Sequence, residues 1–302
     1  MKPKVYVIGG PTASGKSKLA VELAKRINGE IISADSMQIY KEMDIGTAKV
    51  KEEEMQGIKH YMLSFVSPEE RYSVSSFKKD AEKQIEIILK KNKTPIIVGG
   101  TGLYIDSLIY GIEFQDEKID TEYREYLNKI ADTEGLKNLY MQATKIDPQA
   151  MEKISKNDKK RIIRVLEIYH KTGKTKTELE IESRKNEPKY NYKVYAITMD
   201  REKLYERIEQ RVDKMLEDGL VQEVKYLIEK YPKMPTAMQG LGYKEVVEFL
   251  NGQVTEKEMI EKIKKETRHY AKRQLTWFRK NKQTIWLDGE KSLEENLDII
   301  LS

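Results

Sequence analysis

Gly10-Pro11-Thr12-Ala13-Ser14-Gly15-Lys16-Ser17 follows the apolar run Val5-Tyr6-Val7-Ile8 and precedes a helical pattern carrying Leu19, Leu23 and Ile27. The spacing is that of a P-loop, a strand–turn–helix unit that holds a phosphate chain. Its glycines let the backbone curl so that successive N–H groups point inward, and the helix N-terminus adds a partial positive charge. In such a loop Lys16 neutralises outer phosphate oxygens, and Ser17 offers its hydroxyl to a Mg2+ ion bridging them. The loop alone does not say what becomes of the phosphates.

Working outward, short β-branched runs at 5–8, 30–34, 95–98, 194–198 and 284–287 read as buried strands separated by helical patterns. That alternation predicts an α/β fold, a P-loop NTPase-like parallel sheet flanked by helices. In such sheets ligands sit beyond the carboxyl ends of the strands. Three polar clusters fall there: the P-loop, Asp35-Ser36-Met37-Gln38, and Gly99-Gly100-Thr101-Gly102. Topology alone thus makes Asp35 and Thr101 candidates for the site that holds Lys16.

The third and fourth strands are separated by far more chain than one crossover helix needs. The excess carries helical patterns at 123–132, 136–146 and 158–170, so residues 115–190 are expected to form an inserted helical domain. The core is then 1–114 with 191–302. Asp158 caps the third of those helices, and Lys160, Arg161 and Arg164 cluster near its start. By themselves they read as a solvated basic face.

Composition narrows the classes further. At 302 residues the chain can bury a sizeable core, and it has no cysteine, so disulfide frameworks and zinc fingers are excluded. We expect a cytoplasmic protein with no cleaved leader, because a strand begins almost at once. No apolar run approaches membrane-spanning length, so no membrane partner is expected. His60, His170 and His269 show no metal-ligand spacing, and Met215 and Met259 read as core filling. A net charge of +5 does not by itself identify a nucleic-acid partner; the placement of the basic residues must do so.

Two later segments bear on that point. After Asp200, a helix carries Arg201, Arg207 and Arg211 from the carboxyl end of a strand. These arginines either pair with Glu206 and Glu209 or reach a phosphate. A long helix is then expected over 255–281, with Met259, Ile263, Tyr270 and Trp277 on one side and Lys265, Arg268, Lys272 and Arg279 on the other. From Glu261 to Lys282 nine Lys or Arg stand against two Glu. A basic stripe on an anchored helix is a nucleic-acid signal.

An NTP hydrolase would show a hydrophobic strand ending in Asp to hold Mg2+. The run Pro95-Ile96-Ile97-Val98 ends in Gly-Gly-Thr, the carboxylate sits on the second strand at Asp35, and no Asn-Lys-x-Asp motif occurs. The motifs 10–17, Asp35-Ser-Met-Gln-Ile-Tyr40, Met43-Asp-Ile-Gly-Thr-Ala-Lys49, Val98-Gly-Gly-Thr-Gly-Leu-Tyr104 and Ala271-Lys-Arg-Gln-Leu-Thr-Trp277 together resemble the tRNA dimethylallyltransferases. The resemblance spans nearly the whole chain. It implies a P-loop core with an inserted helical domain and the transfer of a dimethylallyl group. The donor is dimethylallyl diphosphate, and the acceptor is the exocyclic amine of the adenosine 3′ of the anticodon.

By that resemblance Asp35 is the general base, and residues Gly10 to Ser17 grip the diphosphate with Ser17 on Mg2+. Arg207 stabilises the leaving group, although Arg211 is not separated from it. Thr12 and Thr101 contact the leaving group or the target nucleotide. The tRNA-contacting stretches map to Asp35, Ser36, Met37 and Gln38; to Lys159, Lys160, Arg161, Ile162 and Ile163; and to Gln239, Gly240, Leu241, Gly242, Tyr243 and Lys244. Arg124 is a further candidate, and Arg268, Lys272 and Arg279 would meet the anticodon stem. The expected partners are the tRNA anticodon stem-loop and dimethylallyl diphosphate, with the protein a monomer. A P-loop small-molecule kinase and an RNA-binding switch without catalysis are the alternatives.

Overall fold

The computed structural model describes residues 2–114, 120–183 and 187–302. By contacts the chain divides into two compact units, one running to Ile109 and resuming at Pro188, the other Tyr110–Glu187. In the larger unit β1 (Lys4–Gly9) is followed by α1 (Lys16–Arg26), β2 (Gly29–Ser33), α2 (Glu52–Met55), β3 (His60–Tyr61), α3 (Val74–Lys90), β4 (Thr94–Gly99) and α4 (Gly102–Ile109). The smaller unit contains α5 (Thr121–Thr133), α6 (Lys137–Ile146), α7 (Pro148–Met151), α8 (Lys159–Thr172) and α9 (Lys176–Ser183). The larger unit then continues through β5 (Asn191–Thr198), α10 (Arg201–Glu217), α11 (Leu220–Lys230), α12 (Tyr243–Leu250), α13 (Glu256–Phe278), β6 (Ile285–Asp288) and α14 (Leu293–Leu301).

The six strands form one parallel sheet in the order β3-β2-β4-β1-β5-β6. Helices cover both faces, which is why β1, β2 and β4 are continuous apolar runs rather than alternating ones. One face packs Ile8, Ile31, Ile96 and Ile197 against Leu19 and Leu23 of α1 and Leu297 and Ile300 of α14. A second core joins Ile39, Tyr40 and Met43 to the inner faces of α10, α11, α12 and α13. The smaller unit has its own core of Leu127, Leu139, Ala143, Ile162, Val165 and Leu166. Asp158 caps α8 by accepting from the Arg161 N–H at 3.1 Å, and Thr255 and Glu258 form a capping box on α13.

Three boundaries differ from the sequence expectation. The edge strand β3 was not foreseen, because two residues are too few to show a period. The inserted unit runs from 110 to 187 rather than 115 to 190, since Tyr190 is buried and the Asn191 N–H already bonds the Pro3 carbonyl at 2.9 Å. The expected start at 115 and part of the expected polar closing stretch (184–186) lie outside the described residues. The long helix ends at Phe278, not 281.

At the amino end of β2 a buried carboxylate ties the sheet edge together. Glu30, 4 % exposed, accepts from Lys93 at 2.8 Å, Lys91 at 3.1 Å and the Tyr61 hydroxyl at 2.7 Å. Burial acts to raise its pKa, but the hydrogen bonds from Lys93, Tyr61 and Lys91 outweigh it and hold the group at about 2. A depressed carboxylate stabilises the fold above its unfolded pKa and loses that contribution as pH falls through the folded one. Glu30→Gln is therefore expected to cost about 2 kcal/mol at neutral pH, as charged hydrogen bonds do. The gap in melting temperature between parent and variant should hold down to pH 4.5 and close as pH falls towards 2. Calorimetry over that range checks it.

Candidate active site

Beyond the carboxyl ends of the strands lies a cavity of about 500 Å³. Its walls include Thr12, Ala13, Gly15, Lys16 and Ser17 of the P-loop and Asp35, Ser36, Met37 and Gln38 after β2. Gly15 caps α1 with φ 88°, a left-handed backbone for which glycine carries no steric penalty, and Ala13 shares that region at φ 63°. These turns bend the loop back onto the helix start, as an anion cradle requires. Gly10, Pro11 and Ser14 form the loop's inner side rather than the cavity wall. The buried Ser14 hydroxyl has no hydrogen-bond partner.

Lys16 folds over the loop and donates to the Pro11 carbonyl at 2.9 Å. Burial, then repulsion from Arg211, lower its pKa to about 8, and Asp35 partly offsets them. Arg211, on α10, lines the cavity and donates from Nη1 to the Thr12 hydroxyl at 3.2 Å. Arg207 is exposed and absent from the wall. Of the two arginines left unseparated by the sequence, it is Arg211 and not Arg207 that the structure places at the cavity. The helix period contains the reason: Arg211 lies about 60° from the buried Ile208 around the axis and Arg207 about 100°.

Asp35 is held by its own turn, with Oδ1 accepting from the Met37 N–H at 2.9 Å and the Gln38 N–H at 3.3 Å. Thr101 is not part of the wall. Its hydroxyl accepts from the Ser36 N–H at 3.0 Å and so fixes the residue beside Asp35. From α13, Tyr270, Arg273 and Gln274 complete this side of the cavity. Burial and then the Asp35 charge raise the pKa of the Tyr270 phenol. His60 also lines the cavity, and burial lowers its pKa. The sequence reading gave no role to Tyr270, Gln274 or His60. The first two lie on the inward face of a helix whose outward face drew attention, and His60 depends on the unforeseen β3.

The 239–244 stretch, Gln239, Gly240, Leu241, Gly242, Tyr243 and Lys244, also lines the cavity. Tyr243 is fully buried and its hydroxyl donates to Glu223 at 2.6 Å, so it holds the wall in place. On α13, Lys272 and Arg279 are exposed, whereas Arg268 bonds Glu209 at 2.6 Å and is turned inward onto α10. Arg268 thus serves as a tie between α13 and α10.

The candidates in the smaller unit separate in the same way. Arg161 has a side chain 70 % exposed, beside Asp158 at 3.3 Å, and Lys159 pairs with Asp132. Lys160 is exposed on the same first turn. Ile162 and Ile163 are buried in the core of the unit, so their side chains pack rather than touch RNA. Arg124 is engaged by Glu167, bonding Oε2 from Nη2 at 2.7 Å.

Comparison with known proteins extends this picture. The family profile described as IPP transferase matches residues 38–281. A tRNA dimethylallyltransferase of Acetivibrio thermocellus is 54 % identical, over 99 % of this chain and 97 % of that protein. The crystal structure of a full-length tRNA isopentenylpyrophosphate transferase from Bacillus halodurans is similar with a TM-score of 0.74 and 40 % identity, covering 99 % of this chain and 94 % of that one. A eukaryotic dimethylallyltransferase solved acting on tRNA is similar with a TM-score of 0.80 and 32 % identity, covering 99 % of this chain and 77 % of that one. With a cation-lined phosphate loop facing a carboxylate across one cavity, and with relatives matched along almost its entire length, the chain belongs to the IPP transferase family, on a P-loop NTPase-like fold.

Proposed function

We propose that this protein transfers the dimethylallyl group of dimethylallyl diphosphate to the exocyclic amine of the adenosine 3′ of the anticodon in tRNA, releasing pyrophosphate. The observation that carries the reading is that Asp35 and the two cations Lys16 and Arg211 line one cavity. A kinase would use the same loop, but the similar proteins are named as prenyltransferases.

Lys16, Arg211 and the loop amides bind the diphosphate and stabilise the charge that grows on it as the carbon–oxygen bond breaks. The amine nitrogen forms the new bond to the allylic carbon, and Asp35 accepts the amine proton. The bond electrons leave with pyrophosphate. The target base must first leave the loop stack to reach a carbon inside the cavity. Exposed Lys160, Arg161, Lys272 and Arg279 are suited to the RNA backbone.

Among the described residues no three His, Cys, Asp or Glu side chains form a metal site. The Ser17 hydroxyl, exposed beside Lys16, is a hard oxygen ligand of the kind that would help to hold Mg2+. When bound, the ion would neutralise charge on the leaving group. No helix among the described residues is long and apolar enough to cross a membrane. The reading takes the protein to act as a monomer in the cytoplasm.

Incubation with radiolabelled dimethylallyl diphosphate, Mg2+ and unmodified tRNA should place label in the RNA; unlabelled RNA would refute the proposal. Asp35→Asn should slow transfer by about 10²- to 10⁴-fold while tRNA affinity, read by filter binding, is kept. Arg211→Ala should weaken use of the prenyl diphosphate far more than Arg207→Ala, which steady-state kinetics can compare directly. Because unliganded Lys16 titrates near about 8 and an anion favours its charged form, pyrophosphate should bind with proton uptake around that pH. Its affinity should fall as pH rises further. Calorimetry in buffers of different ionisation enthalpy reads that proton.

A further inference from the structure

We propose that Gln274 is a positioning residue for prenyl transfer, its carboxamide locking the phosphate loop to the 99–102 turn so that both keep one register at the cavity. The inference rests on the function proposed above and concerns a side chain that touches neither substrate in that mechanism.

Gln274 lies on the buried face of α13 and is 5 % exposed. Its Oε1 accepts from the Thr12 N–H at 2.9 Å, and its Nε2 donates to the Gly100 carbonyl at 3.0 Å. Both partners are backbone groups of fixed polarity, so the amide can face only one way. One side chain thus ties the residue whose hydroxyl meets Arg211 to the turn whose next residue, Thr101, holds Ser36 beside Asp35. The leaving-group side and the base side of the site are joined through it.

The turn is shaped for this contact. A Cβ at Gly100 would lie 2.0 Å from Gln274 Nε2, so glycine is required there for the amide to approach. Further along α13, Trp277 Nε1 donates to Asp106 Oδ2 at 2.8 Å, which fixes the helix against α4. No apolar or ionised side chain replaces the carboxamide. Methionine matches its length but would leave a buried N–H and a buried carbonyl unsatisfied. Ionised glutamate would face the Gly100 carbonyl with an acceptor, whereas protonated glutamate would restore both bonds. The charged and titratable groups around this point are Lys16 on α1, Arg211 on α10, Asp35 after β2, and Tyr270 and Arg273 on α13.

The test compares full-length parent, Gln274→Met and Gln274→Glu by kcat, by tRNA Kd without prenyl donor, and by melting temperature, from pH 8.5 to 5. Gln274→Met should lose about a hundredfold in kcat, the scale of a small misplacement of reacting groups, with tRNA affinity kept. Gln274→Glu should match or exceed that loss at high pH and gain steadily on Gln274→Met as pH falls, because only the acid form can donate to Gly100. Near-parental kcat in Gln274→Met, a loss confined to tRNA affinity, or a Glu-to-Met activity ratio that stays flat or falls in acid would overturn the proposal. A parent that transfers no prenyl group would instead refute the function on which it rests.

Discussion

Two cations share one cavity at the end of the sheet, and most of the site's design follows from the cost of keeping them there. Burial disfavours the charged form of both Lys16 and Arg211, and Arg211 also repels Lys16; Asp35 offsets this only in part for Lys16, as Glu54 does for Arg211. Such an arrangement is unfavourable until a strongly anionic group arrives. The P-loop answers with converging amides, and the close-packed core beneath, with Ile8, Ile96 and Ile97 fully buried, holds the loop against relaxation. On the proposed function a diphosphate would answer both cations together, so affinity and leaving-group stabilisation would come from one feature.

The remaining walls are loops, and each is tied down by a buried or half-buried polar side chain. Glu223 accepts from the N–H groups of Asp44, Ile45 and Gly46 at 2.9, 2.7 and 3.1 Å, and from the Tyr243 hydroxyl. Lys49 donates to the Tyr40 carbonyl, Asp44 and Ser64, closing the same segment from its other side. Thr101 and Gln274 do the same for the turns after β2 and β4. Thr101, a substrate-contact candidate in the linear sequence, is thus also a holder of backbone. A reaction that must keep water from an activated allylic carbon needs walls of this kind.

The helical unit follows a separate logic. Its core is closed by its own residues, and a carboxylate engages Arg124, while Lys160 and Arg161 stay exposed on the first turn of α8. Charge placed on helix ends and loops, not in grooves, suits a partner recognised through its backbone and splayed bases.

The fold was legible because its signals are local. A β-branched run, a glycine turn and a capped amphipathic helix each state their structure within about ten residues, and the order of the elements implies a parallel sheet. The places of the P-loop and Asp35 at the cavity were legible too, since topology puts both at strand ends, whereas the 239–244 stretch was reached only through the family resemblance. What stayed hidden depended on which way a helix faces and what packs against it. The placement of Arg211 rather than Arg207 at the cavity, the pairing of Arg268 with Glu209, and the bridging amide of Gln274 are such cases. The sequence by itself determined the sheet, the phosphate loop and the acid that faces it, because those rest on neighbours in the chain. Only the tertiary structure decided which arginine enters the cavity and that Gln274 braces the phosphate loop, because Arg211 and Gln274 meet Thr12 across 199 and 262 positions of chain.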